Sequence, residues 1–123
     1  MTNQLPGLPH HKLHAYGAAV KLLLAVRAAN IRDAKLRDEA TRAAKSAALN
    51  CAEGAGRVSR ADKARAFTPA GIAKRVTIAR GEAVEAVAAV ELAALCGDAS
   101  PESAAECVAL AHPLIAMLTR LIR

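Results

Sequence analysis

A chain of 123 residues has the size of one ordinary domain with a single core. It is 54% apolar but only 2% aromatic, so that core must be made of Ala, Val, Leu and Ile, which suits close-packed helices. The net charge of +6 permits a polyanionic partner, while the scarcity of aromatics argues against reading single strands by base stacking.

The first nine residues hold two prolines and a glycine and read as a flexible N-terminal arm, leaving 10–123 for the folded domain. They lack a basic region followed by an apolar core, so no signal peptide is expected. A first helix is predicted from about His10 or Lys12 to Asn30, with Leu13, Tyr16, Val20 and Leu23 at helical spacing. Its run GAAVKLLLAV is short and carries Lys21, so no membrane partner is expected.

Asp33 is a candidate N-cap for a second helix reaching about Ala52. Leu36, Ala40, Ala43, Ala47 and Cys51 form its apolar stripe, and Gly54 and Gly56 are expected to end it. Ser59 and Asp62 then read as a capping arrangement for a third helix. Pro69 must kink or restart that helix, with Thr68 as cap. Ile72, Val76, Ala79, Ala83, Val87, Val90 and Ala94 continue it to Gly97. Ser100 as N-cap and Pro101 at the first position open a fourth helix running to the C-terminus, with a possible bend at Pro113. Its stripe is Ala104, Val108, Ala111, Ile115, Leu118 and Ile122. Short connections make neighbours antiparallel, so the fold class is all-α: an up-down four-helix bundle with a kinked or extended third helix.

Several positions fall outside these stripes. Leu49, Ile78, Leu92, Cys96, Leu110, Leu114, Met117 and Leu121 give more apolar surface than a monomeric bundle needs, which points to a homo-oligomer. On the second helix Arg42, Ser46, Asn50 and Glu53 cluster beside the apolar stripe, and with Gly54 and Glu85 they form a candidate structural seam for assembly. Such groups need partners, and Arg80 or the backbone at Gly54 is the candidate for Glu53. A small-molecule site around Ser46, Asn50, Glu53 and Glu85 is the less favoured reading.

Charge is segregated along the chain. Arg57, Arg60, Lys63, Arg65, Lys74, Arg75 and Arg80 face a single acid, Asp62, between Arg57 and Arg80. Six acids and no Lys or Arg follow from Gly81 to Thr119. The first six of those basic residues form a candidate phosphate-contacting end for RNA or DNA. The three cysteines lack CxxC spacing and fit buried small hydrophobes in a reducing cytoplasm. None of the common nucleotide, metalloprotease or hydrolase motifs occurs. His10, His11 and His14 have no acidic neighbours, and no Glu-x-x-His pair exists for a di-metal bundle. The chain therefore reads as a non-enzyme without cofactor or metal.

The stretch SAALNCAEGAGRVSRADKARAF, followed by IARGEAVEA, resembles the four-helix-bundle family of bacterial 23S ribosomal-RNA intervening-sequence proteins. Ser46, Asn50, Cys51, Glu53, Gly54, Arg57 and Ser59 stand where that family has its helix-two motif. Phe67, Ala79, Gly81, Glu82 and Glu85 stand at its third-helix positions. Glu82 replaces a serine, and TPAGIAKRV, including Thr68 to Val76, looks like an extra segment. The resemblance implies a non-enzymatic homo-oligomer, commonly a five-membered ring. A related branch serves diversity-generating retroelements as an accessory protein, which implies nucleic acid and a reverse transcriptase as partners. The alternative is a protein-interaction or scaffolding bundle that binds no nucleic acid.

Overall fold

The computed structural model describes residues 14–64 and 69–122, with side chains over 14–54 and 71–122. The arm assigned to residues 1–9, and His10 and His11, lie outside the described residues. Four helices follow one another: α1 (His14–Ala28), α2 (Ala34–Ala64), α3 (Pro69–Leu95) and α4 (Pro101–Ile122). They form an all-α four-helix bundle. Neighbours in sequence pack together and α1 closes against α4. Only α1 and α3 meet across the diagonal.

Local chemistry sets most boundaries. Asn30 takes φ +48° and ends the first helix, a left-handed position that asparagine tolerates better than most residues. Asp33 caps α2 through its Oδ2, which accepts from the Leu36 N–H at 2.9 Å. Gly97, at φ +80°, ends α3. The Asp98 N–H donates to the Ala93 carbonyl and the Gly97 N–H to Ala94, which is a Schellman closure. Ser100 caps α4 by accepting from the Ser103 N–H at 3.0 Å, with Pro101 in the first turn.

The two short loops lie together. The Arg32 N–H donates to the Asp98 carbonyl at 2.9 Å, and the Arg32 guanidinium reaches the Gly97 carbonyl. The loop after α1 is thus tied to the loop after α3. The start of α1, the passage from α2 to α3 and the end of α4 consequently share the opposite end.

Two helix boundaries depart from the sequence reading: the end of the second helix, and the start of the third, since Ser59 and Asp62 lie inside α2 and start no helix. α2 does not stop near Ala52 but continues past Gly54, Gly56 and Ser59 to Ala64. Glycine inside a helix costs only about 1 kcal/mol relative to alanine, which packing can outweigh. Gly54 is buried, and a Cβ there would lie 3.8 Å from Arg75 Cβ and from Val76 Cγ2. That is ordinary van der Waals contact, so Gly54→Ala is expected to stabilise the bundle by about 0.5–1 kcal/mol. A lower midpoint in urea for the variant would contradict this. The predicted restart at Pro69 is the first residue of α3, and the extra segment supplies that helix's first two turns.

Alanine dominates the core. Ala40, Ala43, Ala44 and Ala47 of α2 are fully buried, as are Ala79, Ala83, Ala86 and Ala93 of α3. Larger side chains fill the rest: Leu22, Ile31, Val90, Leu114 and Leu118, with Cys51 and Cys107. Two predicted stripes are rotated. In α1 the buried set is Ala15, Ala19, Leu22 and Val26, not the set starting at Leu13. In α4 Cys107 and Leu114 are inside, while Val108, Ile115 and Ile122 are only partly covered. Leu114 therefore belongs to the core and not to the surplus surface. Cys96 is exposed, against the expectation that all three cysteines are buried. Burial pushes the Cys51 and Cys107 thiols up to about 11.

By length and composition α4 could cross a membrane, with a mean hydropathy of 1.5 over its most apolar stretch. Its pattern is nonetheless that of a bundle helix. Ala104, Cys107, Ala111, Leu114 and Leu118 face inward, and Glu102, Glu106, His112 and Arg120 are exposed.

Candidate interaction surfaces: a polar seam and a basic end

The polar residues singled out on α2 line its contact with α3, where they meet α3 side chains. Arg42 is the hub. Its NH2 donates to Glu39 Oε2 at 2.8 Å and to Glu85 Oε2 at 2.9 Å. Its NH1 donates to Glu82 Oε2 at 3.1 Å. Ser46 also hydrogen-bonds Glu82. Asn50 donates through Nδ2 to the Ser46 carbonyl at 2.9 Å and to its hydroxyl at 3.2 Å. Arg75 then donates from NH1 to Asn50 Oδ1 at 3.4 Å, and its Nε lies 3.2 Å from Glu53 Oε1. The chain Glu85–Arg42–Glu82–Ser46–Asn50–Arg75–Glu53 is continuous along the α2–α3 boundary.

Two assignments change here. The partner of Glu53 is Arg75, not Arg80, whose Nε donates to Thr119 Oγ1 at 2.9 Å. Arg75 is therefore a seam residue, with a third of its side chain still exposed. Lys74, one position earlier and about 100° around the helix, is exposed. Gly54 contributes a close helix approach and not a turn. The side chains of Arg57, Arg60 and Lys63 lie outside the described residues, although their backbone is the last stretch of α2. Arg65 lies outside altogether.

Electrostatics decide what the seam can hold. Glu39, Glu53, Glu82 and Glu85 outnumber Arg42 and Arg75. Among the described side chains the seam is therefore net negative, which disfavours phosphate along its Arg42 stretch. The hydrogen bond from Arg42 holds the Glu82 carboxyl below its ordinary value of 4.5, against the opposing effect of burial. Arg42 likewise lowers Glu39, and the Glu39 and Glu82 carboxylates together raise Arg42. Among the described residues no group of three or more His, Cys, Asp or Glu is placed to hold a metal ion.

A lowered carboxylate contributes stability that is complete above its unfolded value and is lost as pH falls through the folded one. The melting temperature of the bundle is therefore expected to fall as pH drops below about 4.5, less steeply in Glu82→Gln than in the wild type. Parallel melting curves from pH 7 to 3, followed by circular dichroism, would remove Glu82 from the acid response.

The sequence pointed to Arg42, Ser46, Asn50, Glu53 and Gly54 on α2 and to Glu85 on α3, but not to Glu82 and Arg75, which complete the seam. The usable signal was the pair Glu82 and Glu85, one turn apart on a helix antiparallel to the one bearing Arg42. No protein-family model, curated protein or solved structure matches the chain.

Proposed function

We propose that this protein is a non-enzymatic, self-associating bundle whose α2–α3 end binds RNA or DNA through phosphate contacts. One observation carries the reading: seven basic residues against one acid between Arg57 and Arg80, followed by a long acidic stretch. The fold concentrates that charge, because the end of α2 and the start of α3 meet at the end of the bundle away from the stitched loops. Arg57, Arg60, Lys63, Arg65, Lys74 and Arg75 are the phosphate-contacting set, Arg75 also being engaged by Glu53. The likeness of Ser46 to Ser59 to the intervening-sequence proteins supports the same reading. The seam serves assembly of the bundle and carries no chemistry.

Titration with a structured RNA and with duplex DNA at several salt concentrations tests this. Affinity should fall steeply with salt, with a log–log slope near −0.9 per phosphate contacted on a duplex. Replacing Arg57, Arg60, Lys63 and Lys74 by Gln should weaken binding for all sequences and flatten that slope by about 3–4. Asn50→Ala, in the seam, should leave the slope unchanged. No binding at low salt, or binding indifferent to salt, would leave the scaffolding alternative.

A further inference from the structure

Among the described residues, six large hydrophobic side chains are exposed: Leu24, Leu49, Val84, Leu92, Leu95 and Leu121. Three of them share one face of α3. At 100° per residue, Val84, Leu95, Ala88, Gly81 and Leu92 fall within about 80° of one another. All five are exposed, Leu95 at 83% and Leu92 at 51%. A Cβ at Gly81 would meet nothing within 4 Å, so none of the chain's own described groups fills that groove. The opposite face of α3 is already spent on the core through Ala79, Ala83, Ala86, Val90 and Ala93. α3 therefore packs its inner face against the bundle and keeps a second apolar face uncovered, where an ordinary bundle helix has a polar back.

The flanks of this stripe identify what covers it. Arg80 and Glu91 lie on the same flank, within about 20° of each other. They also lie equally far, within one residue, from the midpoint between Val84 and Ala88. A two-fold axis through that midpoint turns α3 antiparallel onto α3 of another copy. It sets Val84 against the partner's Ala88, Thr77 against the partner's Leu95, and Arg80 beside the partner's Glu91, each contact occurring twice. Arg80 bonds Thr119 through Nε, so its two terminal nitrogens are not needed for that contact.

We infer that the outer face of α3, from Thr77 to Leu95, is a self-complementary interface for a second copy of this chain, packed antiparallel across a two-fold axis. The inference rests on the self-association in the proposed function and specifies its geometry. It differs from the ring implied by the family resemblance. A ring needs two different complementary surfaces, whereas here the apolar positions and both charges of the pair occupy one stripe, as an isologous contact requires. Gly81 and Ala88 let the two helices approach closely, along roughly 27 Å of stripe.

Native mass spectrometry and sedimentation of the full chain test this, with nucleic-acid binding measured separately. The wild type should be dimeric or a multiple of two. Val84→Glu should weaken association at least tenfold, whereas Leu49→Glu, even more exposed on α2 but off the stripe, should not. Arg80→Glu and Glu91→Arg should each be monomeric alone and form a mixed dimer when combined, because one then carries two acids and the other two bases at the contact. A wild type that is monomeric at 100 μM overturns the interface, as does an odd-numbered assembly indifferent to Val84→Glu, or a mixture that stays monomeric. If the monomer still binds RNA with the expected salt slope, only the interface has failed. If the dimer forms and no nucleic acid binds at any salt, the interface stands and the nucleic-acid reading falls.

Discussion

Ala83→Leu is expected to destabilise the bundle by about 3 kcal/mol, at the upper end of what overpacking costs. Ala83 has no solvent exposure and sits on a face of α3 that is almost entirely alanine. The facing surface of α2 is alanine as well, and these two helices share the most extensive contact in the bundle. Helices that meet through methyl groups settle at the short end of the usual 8–10 Å spacing. Leucine adds three carbons with no void to receive them, so either the helices separate or the side chain leaves its rotamer. A chain of this length has a total stability on the order of 10 kcal/mol, so the loss should be plain in a urea titration. A change below about 1 kcal/mol would mean that the α2–α3 boundary is loosely packed. The polar seam should loosen in the same variant, because its bonds from Arg42 to Glu82 and from Arg75 to Asn50 span the helices being pushed apart.

The second large effect is a loss of volume. Leu114→Ala should cost about 4 kcal/mol, within the range for fully buried leucines. Leu114 is completely buried and follows Pro113, which lies inside α4 and cannot donate a backbone hydrogen bond to the preceding turn. At that point α4 is held more by packing than by its own ladder. Removing the side chain therefore both opens a cavity and frees a helix that already lacks one bond. Leu121→Ala, in the same helix but 47% exposed, should cost well under half as much. Equal losses for the two would show that Leu114 is not held as described.

Which features were legible depended on how local their causes are. Asp33, Gly97 and Ser100 with Pro101 each act through backbone groups within a few residues, so sequence alone placed these boundaries. The end of α2 was not legible. A glycine in a helix is a weak signal, and its outcome is set by what packs on it, here Arg75 and Val76 from α3. The phases of α1 and α4 failed for another reason. With Leu22, Leu23 and Leu24 consecutive, and Leu114 beside Ile115, a helical wheel has several apolar faces of similar strength, and only the neighbouring helices choose among them. The seam was half legible. Arg42, Asn50 and Glu53 share a face of one helix with Ser46, but their partners on α3 are 22 to 43 residues away. Arg75 was assigned to phosphate alone because charge counting cannot see that Glu53 and Asn50 also hold it.

Stitching the two short loops together has a practical consequence for anyone attaching something to this chain. The Arg32 contacts gather both short connections at one pole, so the beginning of α1 and the end of α4 emerge at the other, beside the passage from α2 to α3. A domain fused directly after α4 would therefore stand at the same pole as the end of α2 and the start of α3. Lys35, exposed in the first turn of α2 near the stitched pole, offers a handle whose label would stand clear.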